Sequence, residues 1–281
     1  MTSLHASIPQ RRPGWRPLAA AAALACAAAL PAHAVLTPSS GPDIAGNLSD
    51  IAYGGSGNVF QVAPMLFING LGAAGAPNSV VGGNAALSYD VTLSGGGTGL
   101  LTIDYRITNK STTDSFNQLR FMVFANPDGE QLNFLDTVAE KWDAAVAGDP
   151  VRREVHAFPS DPFDAIGARF AVNNNLTDAA PDAACLAASG CDAVMGLQWN
   201  AAVLNPNESF VVRLALSDTG QAVSGRFLTF AGVGAVDTTL TVSGFSQVTA
   251  VPEPSTWALC LAGLAAVASL ARRRSTLQRE R

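Results

Sequence analysis

Apolar side chains fall on every second position between residues 87 and 107. Leu87, Tyr89, Val91 and Leu93 alternate with Ser88, Asp90 and Thr92; beyond Ser94-Gly95-Gly96-Gly97-Thr98, Leu101, Ile103, Tyr105 and Ile107 alternate with Thr102, Asp104, Arg106 and Thr108. Successive side chains of an extended strand point to opposite faces, so this pattern predicts a hairpin with one buried and one wet face. Residues 119–125, apolar except for Arg120, have the length of a buried strand. Residues 198–204 and 209–217 flank Asn205-Pro206-Asn207-Glu208, where the proline presets φ at the second turn position. Phe210, Val212, Leu214 and Leu216 share one side of the second of these strands, and residues 226–230 and 238–245 add two more. Seven or more short strands separated by Gly, Pro and Asn, with few helices, predict a mainly β fold. The architecture expected is an antiparallel β-sandwich, immunoglobulin-like in the loose sense or jelly-roll-like.

Two stretches interrupt this rhythm. Between residues 133 and 147, Leu135, Val138, Ala139, Trp142 and Val146 recur at helical spacing among Asp136, Glu140, Lys141 and Asp143, which predicts one short amphipathic helix with Trp142 as its core anchor. Residues 149–191 read as a loop-rich insertion, with Pro159, Pro162 and Asn173-Asn174-Asn175. Loops on a rigid sandwich are where binding groups gather, so a ligand site in this domain is expected in this lid-like region.

The chain ends in patterns of another kind. Arg11, Arg12 and Arg16 precede an Ala/Leu run from 18 to 30, then Pro31 and Ala32-His33-Ala34. This is the layout of a secretory signal peptide over residues 1–34, with Ala32 and Ala34 marking an A-x-A cleavage site that leaves Val35 first. Pro13-Gly14 after the arginine pair favours general secretion over the twin-arginine route. At the other end, the uncharged run 257–271 stops at Arg272, Arg273 and Arg274, which resist translocation. As a helix the run spans about 22 Å against a hydrocarbon core of about 30 Å, short for a permanent transmembrane anchor.

Pro252-Glu253-Pro254, a short apolar helix and a terminal arginine cluster, in that order, closely resemble the PEP-CTERM sorting signal of bacterial exported proteins. The resemblance covers about a tenth of the chain. It implies recognition through Pro252, Glu253 and Pro254 by an exosortase-like membrane protease or transpeptidase, transient anchoring, and removal of the tail at the cell surface. An ordinary C-terminal anchor is the alternative. The domain plan is then a signal peptide (1–34), an extracellular β-sandwich (35–250) and a sorting signal (251–281). Residues 105–111 and 203–209 also look like the strand and turn phrases of bacterial extracellular Ig-like modules, a generic similarity that carries no functional residues.

Composition sharpens the picture once the terminal segments are set aside. Of 17 Lys and Arg, three precede residue 35 and five follow residue 250, leaving nine; of 22 Asp and Glu, Glu253 and Glu280 lie in the tail, leaving twenty, for a net charge of −11. So acidic a domain argues against nucleic acid and anionic membrane surfaces as partners. Cys26 and Cys260 fall in the targeting segments, which leaves Cys185 and Cys191 as a disulfide closing a small loop in an oxidising compartment.

Candidate chemistry is sparse. Gly70-Leu71-Gly72-Ala73-Ala74-Gly75 matches a dinucleotide fingerprint with Asp90 beyond it, but Pro77, Gly82 and Gly83 stand where a crossover helix must start and Asp90 sits in an alternating strand, so a glycine loop is the reading. His156 is the one histidine after residue 34 and reads as a solvated loop residue beside Glu154. Asn126-Pro127-Asp128-Gly129-Glu130, and Asp161 with Asp164, offer oxygens to Ca²⁺ without the spacing of a Ca²⁺ loop; no cofactor is expected. Glu130, Glu140, Glu154 and Glu208 sit in no recognisable hydrolase motif. The sequence thus reads as a non-catalytic surface or matrix protein, partnered by an exosortase-like enzyme, transiently by the membrane, and by extracellular polysaccharide. A carbohydrate- or Ca²⁺-binding module is the alternative, a secreted hydrolase the third reading.

Overall fold

The computed structural model describes residues 37–38, 49–53, 58–69, 74–75, 77–128, 135–158, 166, 175–234, 239–251 and 259–268. The expected signal segment with Ala32 and Ala34, the Pro252-Glu253-Pro254 motif and Arg272, Arg273 and Arg274 lie outside these residues, as do Glu130, Asp161 and Asp164. Among the described residues the strands are β1 (Thr37–Pro38), β2 (Ser49–Tyr53), β3 (Asn58–Asn69), β4 (Ala74–Gly75), β5 (Leu87–Ser94), β6 (Leu100–Asn109), β7 (Phe116–Asp128), β8 (Asp136–Lys141), β9 (Arg152–Ala157), β10 (Ala193–Leu204), β11 (Glu208–Ser217), β12 (Phe227–Gly232) and β13 (Thr239–Ala250). Short helices α1 (Pro77–Gly82) and α2 (Ala183–Leu186) are interspersed, and residues 259–268 are helical. No described helix is long and apolar enough to cross a membrane. The ends of the expected 257–271 helix lie outside the described residues.

These strands make two antiparallel sheets. One runs β1-β2-β3-β7-β10-β9, with β4 on β3; the other runs β5-β6-β11-β13-β12-β8. The expected β5–β6 hairpin forms in the register Leu87↔Asn109 through Ser94↔Thr102. Its alternation is honoured, since Leu101, Ile103, Tyr105 and Ile107 are buried and face the other sheet's Leu119, Phe121 and Val123 in one core. The Tyr105 and Phe121 rings meet at 5.0 Å between centroids and join the two layers. The Asn205–Glu208 turn carries the chain from one sheet to the other, because β10 pairs with β7 and β9 while β11 pairs with β6 and β13.

Several expectations need correction. The helix expected over 133–147 is strand β8, paired with β12 in the register Val138↔Phe230. The spacing of Leu135, Val138, Ala139 and Trp142 suits a helix in isolation, but an open edge of β12 offers a full ladder of backbone bonds, and tertiary pairing overrides a weak local preference. Trp142 accordingly lies in the loop after β8, and Val146 is 64% exposed. The insertion 149–191 is not all loop, since β9 and α2 lie within it. His156 belongs to that strand and is half-buried, not a solvated loop residue. Asn126–Asp128 end strand β7 instead of forming a turn. Pro77 opens a six-residue helix instead of blocking one, since proline fits the first helical turn; the helix is still too short for a βαβ crossover. Asp90 lies exposed on β5, as expected.

The insertion serves as a strap on the outer face of the first sheet. Phe67, Met122, Phe124 and Val194 project from that face and form a second apolar cluster with Ile166 and Leu176. Gly196 lets the strap come down: a Cβ there would lie 3.1 Å from Leu176 Cδ1 and 3.2 Å from Ile166 Cγ2. The buried Gln198 fastens it, accepting from the Leu176 N–H at 2.9 Å and donating to Asn175 Oδ1 and Asn200 Oδ1, both at 2.8 Å.

Candidate functional site

The described structure reaches the sorting region through β13. This strand lies inside the second sheet, and its pairing with β11 runs from Ser217↔Thr241 to Glu208↔Ala250. The next residue is held too, since the Val251 N–H donates to the Asn207 carbonyl at 2.6 Å. That carbonyl is positioned by a built turn. Asn207 has φ +59°, a left-handed conformation that asparagine tolerates, and its own N–H donates to Asn109 O at 3.0 Å. The Glu208 carboxylate accepts from the Asn205 N–H at 2.8 Å. The buried Asn109 side chain donates to Asp114 O and Leu204 O at 2.7 and 3.1 Å. Residues 105–111 and 203–209, alike in sequence to Ig-module phrases, are thus packed side by side to support the end of β13. The run from Pro252 starts two residues beyond the strand.

The second place of concentrated chemistry is the insertion. Cys185 and Cys191 form the expected disulfide, with Cα atoms 4.6 Å apart. Both cysteines are buried in the core. Cys191 also exchanges backbone bonds with Asp136, at 2.6 and 2.9 Å. Asp136 starts β8, the edge of one sheet, while Cys191 leads into β10, beside the edge strand of the other. The disulfide loop therefore joins the two sheets along one side. Gly190 makes the approach possible, with φ +66° and a Cβ position that would lie 2.5 Å from Val233 Cγ2.

Nearby, Arg153 lies in a knot of charge. Its Nε and Nη2 donate to the two Glu140 oxygens at 2.6 and 2.8 Å, and its Nη1 donates to Asp178 Oδ1 and O at 3.0 and 2.9 Å. Burial would lower the Arg153 pKa, but the hydrogen bonds and charges of Glu140 and Asp178 outweigh it, and the net shift is upward. Asp178 Oδ1 also accepts from Trp142 Nε1 at 2.9 Å. The Trp142 ring has the guanidinium carbons of Arg153 and Arg226 at 4.8 and 4.9 Å from its centroid. Arg226 in turn donates to the carbonyls of Asp143 and Pro150 at 2.8 and 3.2 Å. Trp142 is thus neither a helix anchor nor an open platform; its ring is the centre of a cation–π cluster that ties β8, β9 and two loops.

The remaining candidates are also absorbed by their neighbours. His156 Nε2 lies 3.2 Å from the buried Glu154 and its Nδ1 lies 3.4 Å from Asp182. With a carboxylate at each ring nitrogen, the imidazole stands between the acids, so the three cannot converge on one metal ion. Among the described residues no group of three His, Cys, Asp or Glu side chains is arranged to hold a metal. Of the glutamates considered for hydrolysis, Glu140 is engaged with Arg153, Glu154 with His156 and Glu208 with Asn205. Sequence reasoning missed the Arg153 knot, whose members are spread from residue 140 to residue 226. The one local sign was Arg153-Glu154 inside an extended run, where buried charges demand partners.

Residues 250–275 match the family model described as the PEP-CTERM protein-sorting motif. The chain therefore carries a sorting signal of the exosortase pathway for exported proteins. The matched segment begins at Ala250, the last residue of β13. No curated protein and no solved structure matches the chain.

Proposed function

We propose that this chain is exported with loss of residues 1–34, held briefly in the membrane by the 257–271 run with Arg272, Arg273 and Arg274 on the cytoplasmic side, and cut near Pro252, Glu253 and Pro254 by an exosortase-like enzyme. The product is a soluble acidic β-sandwich with a structural or adhesive, non-catalytic role in a polysaccharide-rich surface matrix. The observation that carries the reading is the PEP-CTERM match beginning at the last residue of a folded strand. The engagement of Glu140, Glu154 and Glu208 in structural contacts supports the non-catalytic part, since each carboxylate already has a partner in the fold. Mass spectrometry of the mature protein tests the sorting step: the C-terminus is expected near the Pro-Glu-Pro motif, and chains intact through Arg281 in cells that possess the sorting enzyme would overturn it. Co-sedimentation of the secreted product with purified matrix polysaccharide tests the matrix role, which fails if the protein stays in the supernatant at every salt concentration.

A further inference from the structure

The two halves of β13 are held in different ways. From Leu240 to Gly244 the side chains are buried, and β13 is flanked by β11 on one side and by β12 on the other, through Ala231↔Thr239 to Phe227↔Ser243. Past Ser243 the β12 pairing ends. The Ser224 hydroxyl accepts from the Gly244 N–H at 3.1 Å and the Gly148 carbonyl accepts from the Ser246 N–H at 2.7 Å. From Gln247 onward the described pairing is to β11 alone. Gln247, Val248, Ala250 and Val251 are exposed and Thr249 is half-buried, so no side chain in this stretch belongs to the core. Opening it costs backbone bonds on one edge and the partial cover of Val248 and Val251, which are already 41% and 38% exposed, but withdraws no side chain of this stretch from the core, the physical description of a segment that unfolds locally below the global transition. Its far end is where the sorting match begins.

We infer that Gln247–Val251 is a releasable stem, an interaction segment that peels from β11 so that the sorting enzyme can take the motif in extended form while the rest of the sandwich stays folded. This rests on the reading of the tail as an exosortase signal. Folded, the stem holds the start of the motif against the Asn205–Glu208 turn. Peeled, its five residues, already extended in the strand, become a free tether of about 17 Å at roughly 3.4 Å per residue that can turn away from the sheet. That slack brings the scissile region into a membrane-embedded active centre without the domain having to follow. The short Gln247–Ala250 ladder is what separates the two states.

The stem can be locked at its last pair. Glu208 and Ala250 are directly opposed, and facing residues of an antiparallel pair have Cα atoms about 4.5–5.5 Å apart, within disulfide range. The full-length Glu208→Cys/Ala250→Cys chain, followed by pulse-chase in cells that possess the sorting enzyme, is expected to lose its tail at least fivefold more slowly when oxidised than when kept reduced. Wild type carried through the same redox treatments controls for Cys185–Cys191. A six-residue Gly/Ser insertion between Ala250 and Val251 supplies slack beyond the lock and is expected to restore the rate. Equal rates for the oxidised and reduced double variant, with wild type processed normally, overturn the stem while leaving the sorting reading intact; an intact wild-type tail overturns both. Hydrogen exchange on the unmutated full-length chain in detergent provides a second measurement: amides 247–251 are expected to exchange at least tenfold faster than amides 240–243, and equal protection overturns the stem.

Discussion

Tyr105 lies wholly inside the sandwich with a hydroxyl that has no hydrogen-bond partner among the described residues, and the Tyr89 hydroxyl is buried in the same condition. A buried donor without a partner keeps the cost of leaving water and gains nothing in return. Tyr105→Phe retains the ring against Phe121 and removes only that cost, so it is expected to raise stability by about 1 kcal/mol, seen as a higher urea midpoint with an unchanged slope. The same burial pushes the phenol pKa of both residues far above the ordinary value, and repulsion between the two adds to the shift of Tyr89. The unfolded chain releases these protons near pH 10 whereas the folded chain holds them. Below about pH 10 their contribution to stability is therefore constant, and as the pH rises beyond it the unfolded state is increasingly favoured. Thermal melts of Tyr89→Phe/Tyr105→Phe are expected to fall less steeply above about pH 10 than those of wild type.

At the level of elements, β9 shows how a strand can hide from its own sequence. Residues Arg152 to Ala157 carry two arginines, a glutamate and a histidine, yet Arg153, Glu154 and Val155 are buried. Charge is stable there because Glu140 and Asp178 reach Arg153 from β8 and from the strap. Arg153→Met removes the common partner of both acids and one of the two cations over Trp142, leaving Arg226. It is expected to cost about 2 kcal/mol, less than a fully buried broken pair because Asp178 is 35% exposed and regains water. Urea titration followed by Trp fluorescence measures it. Where a strand buries one face against the core, as in β5 and β6, period-two alternation is legible in the sequence from Leu87 to Ile107; β11 is buried on both faces, yet Phe210, Val212, Leu214 and Leu216 still mark its core side. Where a strand is buried on both faces the alternation vanishes, so β10 starts at Ala193 whereas the sequence pattern marks only its part from Gln198. β8 failed for a different reason: its helical spacing is real, and only the unsatisfied edge of β12, some ninety residues away, decides against it. The sorting signal needed no such distant information, because its three parts are consecutive.

Across the whole molecule, Cys185–Cys191 matters beyond the small loop it closes. The chain-entropy gain of so short a ring is roughly 2 kcal/mol. Cys185→Ser/Cys191→Ser is expected to lose about that much, and hydrogen exchange is expected to rise first in β8, whose Asp136 is held by Cys191. Uniform loss of protection throughout both sheets would contradict a role as a side closure. The order of strands has a further consequence, for timing. In the second sheet β6 pairs with β11 about a hundred residues later, and β13, the last of the described strands, lies between β11 and β12. A sheet whose interior strand comes last in the chain cannot close while that strand is still being threaded across a membrane, and pairings so distant in sequence form slowly. On the proposed export route the domain thus acquires its native core only after the buried Leu240–Gly244 half of β13 has crossed, which makes the completed fold a record that export has come within a few residues of the tail.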